Sequence, residues 1–342
     1  QHHIFLPSAR GLANLFASSA CFSAFSLKII SSVTLLVFVG LGLADALGMQ
    51  WPSGVQALNN NCYEEMFCEP KRQGRLIARL GNTYSNFLYL FDGLFVLASS
   101  CSTPFWLSDV LFGLMLTLLA MFSVLWHATN ASKLHYSDLW AMDACIIYLI
   151  LRSLGLCFLF LRLPQFIGPL GTTLAYAWLL VKSGYAHWQN IRFTGPYDDY
   201  CPISGRSRLV NHGAGNADLY TTGVCFYLGM PVLYMIIPAV LQVCFSGSTG
   251  SMVAATITGS TLAVGWSLRM FERFVLDGWA PMRWILQKAA GEPSSCQLLF
   301  AAFVSPTAIL HSFTSLTLLF GYVWVRSIEQ GASDGNAVCD TS

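Results

Sequence analysis

FWLSDVLFGLMLTLLAMFSVLWHAT, residues 105 to 129, is a run of 25 residues with almost no charge. At about 1.5 Å of rise per residue it spans roughly 37 Å as a helix, enough for a hydrocarbon layer of about 30 Å. Six more segments meet the same test downstream of residue 80: 84 to 100, 139 to 161, 163 to 182, 219 to 245, 251 to 270 and 297 to 325. The runs are uniformly apolar and do not alternate in short stretches, so membrane strands are disfavoured. The expectation is an all-α integral membrane protein with a seven-transmembrane-helix bundle. Composition agrees, since 55% of residues are hydrophobic and 10% charged, against about 25% charged in a soluble domain. A formal charge of +1 and the lack of a basic stripe interleaved with aromatics argue against nucleic acid. Lipids or membrane proteins are the expected partners.

An eighth apolar run, IISSVTLLVFVGLGLADALG, follows Lys28 and ends in a small-residue pattern, ADA. It reads either as an additional N-terminal hydrophobic helix or as a signal segment. The expected organisation is residues 1–48 as this N-terminal segment, 49–329 as the seven-helix domain and 330–342 as a C-terminal tail. The long connections 48 to 80, 184 to 218 and 271 to 296 fall on one face, which with the short 130 to 137 turn carries 11 Lys and Arg against 2 on the other. The positive-inside rule places that face in the cytosol. A cleaved signal, or a disulfide among Cys62, Cys68, Cys201 and Cys296, would reverse the assignment, and the orientation stays open.

An ionisable group at the centre of a bilayer costs about 2.5–3.5 kcal/mol, so each one needs a partner or a task. Ser123 and His127 stand one helical turn apart and face the same way. Asp138 opens the next helix eleven residues after His127, and a tight hairpin brings the three to a similar depth. His311 in the last run comes from a second helix, and two histidines with an aspartate and hydroxyls nearby are the raw material of a metal site. The plainer reading is that such histidines and small hydroxyls serve hydrogen-bonded helix packing. Asp92 and Arg152 are expected to pair with each other. Asn82, Thr83 and Asn86 are candidates to cap the first core helix. Asp143 reads as structural, His135 as a minor substitute ligand, and His187 and His212 as solvated loop residues.

Three blocks, CEPKRQGRLIARLGNTYSNFLYLFDGL (68 to 94), SVLWHATNASKLHYSDLWAMD (123 to 143) and TAILHSFTSLTLLFGYVWVRSIE (307 to 329), resemble the signature blocks of the alkaline ceramidase family. That family lies within the CREST superfamily of seven-helix membrane hydrolases, with adiponectin-receptor-like and Per1-like relatives. The resemblance spans about residues 62 to 329. It implies hydrolysis of ceramide to a sphingoid base and a fatty acid, at a zinc ion held by one histidine of the second core helix and a His-x-x-x-His pair of the seventh. His127 matches the first ligand and His311 the last. Ser123 matches the serine that holds the polarised carbonyl oxygen, and Asp138 the acid that takes a proton from the attacking water. Glu69 lies near the acidic region that binds calcium in animal members, though the full acidic set is not present. The pattern breaks at Thr307, where a zinc-ligating histidine is expected; beginning the pair at His311 instead puts Ser315 in the second place. Three outcomes follow: Asp138 substitutes as third ligand, zinc binds weakly, or the chain is a non-catalytic lipid-binding or receptor-like member. A Per1-like enzyme remodelling GPI lipids is a further alternative. The resemblance implies the endoplasmic reticulum or Golgi.

Overall fold

The computed structural model describes residues 24–52, 69, 71–72, 74–129, 131–160, 166–193, 235–240, 249–276 and 305–339. Among these the chain is helical, with no strand. In chain order the helices are α1 (Ala24–Ala46), α2 (Leu80–Ser85), α3 (Phe87–Ser99), α4 (Trp106–Thr129), α5 (Ser132–Phe160), α6 (Ile167–Phe193), α7 (Thr249–Leu276) and α8 (Pro306–Cys339). Four stretches are long and apolar enough to cross a membrane: Ser26–Ala46, Trp106–Thr129, Ser137–Phe158 and Thr307–Gln330. The 105 to 129 run thus forms α4 nearly as read. The 219 to 245 run is described at 235–240 only, where it is helical. Cys62, Cys68, Cys201, Cys296 and His212, and the side chains of His135 and His187, lie outside the described residues.

The first core helix starts earlier than its apolar run and is divided at Asn86, whose N–H bonds the Thr83 carbonyl (3.3 Å) in a tightened turn. The expected caps are not where the sequence placed them. Asn86 precedes α3 without a side-chain cap, and Glu69 instead accepts the N–H groups of Gly81 (2.7 Å) and Asn82 (2.8 Å) at the start of α2. A carboxylate from another segment satisfies two of the orphan donors that begin any helix.

Consecutive helices pack as hairpins, α3 on α4, α4 on α5 and α5 on α6, and α8 returns to touch α2, α3, α5 and α7. Glycines set how close two of these pairs come. A Cβ at Gly93 of α3 would lie 2.8 Å from the Thr117 N and 2.9 Å from the Gly113 O of α4. At the α5–α6 crossing, a Cβ on Gly168 would lie 2.7 Å from the Gly155 O. Such small-residue contacts let backbones approach where lipid supplies no hydrophobic drive for helix association. Leu114, Met121 and Leu154 stay exposed on the outside of α4 and α5, as a lipid-facing surface requires, and Leu174, Trp178 and Val181 of α6 are exposed as well.

The helix α1 lies against α3, with Phe38 packed on Tyr84 and Phe87 at 4.3 and 5.5 Å between ring centroids. Near its end, Asp45 pairs with Arg72 (2.9 Å) and accepts the Ile77 N–H (3.0 Å). The small-residue ADA pattern is therefore also a clamp on the segment leading into α2.

The expected Asp92–Arg152 pair is not formed. Arg152 joins Glu329 of α8 (2.6 Å) and Asp109 of α4 (3.3 Å), and its guanidinium lies 3.6 Å over the Phe105 ring. Asp109 also accepts from Thr103 (2.9 Å), Tyr322 (3.2 Å) and Tyr148. Asp92 takes the hydroxyl of Ser315. The misreading has a geometric cause: on the continuous α5, Arg152 lies near the end opposite Asp138, level with Asp109 at the start of α4, whereas Asp92 lies mid-length on α3.

Candidate functional site

The hairpin between α4 and α5 brings together the residues singled out in SVLWHATNASKLHYSD. Ser123 and His127 are buried on α4, and Asp138 is half-buried in the first turns of α5. A side-chain hydrogen bond joins Ser123 to Asp138, the hydroxyl donating to the carboxylate. The backbone fixes the entry to this hairpin, since the Ala78 N–H bonds the Ala128 carbonyl at 2.9 Å and ties the α2 side of the chain to the end of α4.

His311 arrives from α8, and its ring centroid lies 4.9 Å from that of His127. Nδ1 of His311 lies 3.1 Å from the Ser85 hydroxyl, which fixes the ring's orientation. Tyr89 stands on the other side, 6.5 Å between ring centroids, with its hydroxyl bonded to Thr314. Thr307 is buried one turn before His311.

These contacts belong to a longer pattern that the sequence reading did not anticipate. Along α2 and α3, Asn82, Ser85, Tyr89, Asp92 and Ser99 bond in order to Ser305, His311, Thr314, Ser315 and Tyr322 along α8. Both rows ascend together, so the two helical stretches are parallel and joined by a polar seam. The signal for it is polar spacing of three, four and seven residues in 82 to 99 and of six, three and seven in 305 to 322, where Thr314 and Ser315 are adjacent. Each polar residue there could be read as an isolated cap or packing hydroxyl, which hid the seam.

Two imidazoles bound to one tetrahedral metal have centroids about 5 Å apart, given a metal–nitrogen bond of about 2.0–2.1 Å. The His127–His311 pair matches that spacing, and the Ser85 contact is the kind of outer partner that orients a ligating ring. The residues present thus fit two positions of a zinc site. A third donor is not gathered, because no group of three or more His, Cys, Asp or Glu able to hold a metal forms among the described residues. Asp138, the candidate substitute, is engaged by Ser123.

Glu69 does not stand in a calcium-like cluster among the described residues, and both its oxygens are occupied by backbone N–H groups of α2. Burial pushes its carboxyl above the ordinary value of 4.5, against the downward pull of those two N–H bonds. Its place in the fold is that of a helix cap.

No protein-family model matches the chain, and neither a curated protein nor a solved structure matches it.

Proposed function

We propose that the chain is a ceramidase-like membrane hydrolase that cleaves the amide of ceramide to a sphingoid base and a fatty acid. In this reading the described helices belong to a seven-helix bundle in the endoplasmic reticulum or Golgi, and His127 and His311 hold zinc. The observation that carries it is the 4.9 Å approach of two imidazoles from helices far apart in sequence, beside a Ser123–Asp138 pair. Isolated packing histidines have no need to converge.

Zinc, when bound, supplies Lewis acidity toward the amide carbonyl and makes hydroxide accessible near neutral pH. The chain's own residues do the rest. Ser123 donates to one Asp138 oxygen and holds the carboxylate in place, leaving the second oxygen to take a proton from the attacking water. That water's oxygen bonds to the carbonyl carbon, the C–N bond breaks, and the proton held by Asp138 passes to the leaving amine. Ser85 holds His311 through Nδ1.

One experiment tests the reading: metal content and fatty-acid release from ceramide, measured on the purified protein. About one zinc per chain, with release abolished in His127→Ala and in His311→Ala, is expected. Thr307 favours a second reading, a non-catalytic lipid-binding member that has lost a ligand. If the protein holds no zinc at neutral pH and Thr307→His acquires it, that second reading replaces the first.

A further inference from the structure

Asn82 and Asn86 are both fully buried, yet each has one amide atom with no hydrogen-bond partner. For Asn86, elementary chemistry fixes which atom that is. The Asn86 NH2 donates to the Asn82 carbonyl, which can only accept, so Asn86 Oδ1 must face elsewhere. Asn82 Oδ1 accepts from the Ser305 hydroxyl (2.6 Å), which also accepts the Ala308 N–H (3.0 Å), and in this arrangement Asn82 Nδ2 is the leftover donor. A buried donor and a buried acceptor left unmade each cost about 1–3 kcal/mol. Native proteins keep very few of them.

The two asparagines are four residues apart at the α2–α3 junction, where Cβ atoms on one face stand about 5–6 Å apart. The Asn86 side chain folds back onto Asn82 through its bond to the Asn82 carbonyl, so the two leftover atoms belong to neighbouring side chains. Ser85, between them in sequence, holds His311, so the leftover pair sits at the histidine end of the polar seam.

We propose that Asn82 and Asn86 form a cradle that reads the substrate's linkage, Asn82 Nδ2 donating to the carbonyl oxygen of a secondary amide and Asn86 Oδ1 accepting its N–H. An ester offers the carbonyl but no donor, so it leaves Asn86 unsatisfied. The cradle therefore selects N-acyl over O-acyl lipids before any bond is broken. This rests on the hydrolase reading for its substrate, but binding tests it independently of turnover.

The experiment measures binding of three short-chain lipids of matched chain length to metal-free full-length protein in detergent: an N-acyl amino alcohol, its N-methylated amide and the O-acyl ester. The wild type is expected to bind the secondary amide about 3- to 10-fold more tightly than either analogue, the effect of one neutral hydrogen bond. In Asn86→Ala that preference falls to about one, and in Asn82→Ala the secondary amide and the ester both weaken. Equal binding of all three lipids by the wild type overturns the cradle without recourse to any variant. So does a preference retained by an Asn86→Ala protein whose unliganded Tm matches the wild type. Amide preference without fatty-acid release keeps the cradle and removes the hydrolase; fatty-acid release without amide preference does the reverse.

Discussion

Glu69 holds the first turn of α2 with both carboxylate oxygens from a buried position, and its titration should be visible in stability. Because burial places its folded pKa above 4.5, the group's contribution is fully present below the unfolded value and is lost as pH rises through the raised one. Glu69→Gln retains one acceptor and removes the titration. The stability of the wild type relative to this variant should be greatest in acid, where both side chains are neutral, and decline toward neutral pH as the buried carboxyl is forced to ionise. A thermal-unfolding series from pH 4 to 7 checks this, and an advantage that grows toward neutral pH contradicts it. At this scale the sequence was partly legible. Ser123, His127 and Asp138 were readable because their spacing is local to one hairpin. The capping role of Glu69 was not, because it depends on a fold-back over twelve residues that no periodicity encodes.

Between elements, two kinds of contact govern the bundle. The Gly93–Gly113 approach leaves no room for a side chain on the α3 face, and Gly93→Val should force α3 and α4 apart. Since α3 carries Tyr89 and Asp92 while α4 carries His127, the expected result is a lowered Tm, with overpacking costing about 1–3 kcal/mol, and weaker binding of any metal shared by His127 and His311. Thr117→Ala, which removes the side-chain hydroxyl nearest that Cβ, is the partner change that should recover part of the loss. The ion-paired knot behaves differently. Arg152→Met leaves Asp109 and Glu329 buried without their cation and should cost about 3–5 kcal/mol, whereas the triple change that also makes residues 109 and 329 apolar should recover much of it. Denaturation in detergent separates the two outcomes. The expected Asp92–Arg152 pair shows what element-level reading lacks: hydropathy locates charges within spans, but depth and facing direction depend on where each helix actually begins.

Across the whole molecule, α8 links two polar centres, the histidine site at His311 and the knot at Glu329, about 27 Å apart at 1.5 Å per residue. The seam with α2 and α3 runs between them, so the first core helix and the last are bonded along their length. The membrane character and helical class were legible from apolar run length, and four of the spans stand in the structure. Which helices touch was not legible, because the seam joins residues more than two hundred positions apart. A chain ending at residue 304 lacks every α8 partner and should be destabilised and rapidly degraded, as pulse-chase lifetime measures. The seam also imposes an order on biogenesis. Asp109 and Arg152 can meet as soon as α4 and α5 have been made, but Asp92 is made more than two hundred residues before Ser315. The Asp92 carboxyl therefore waits for α8 before it gains its hydroxyl partner, and the contacts that close the seam are the last to form.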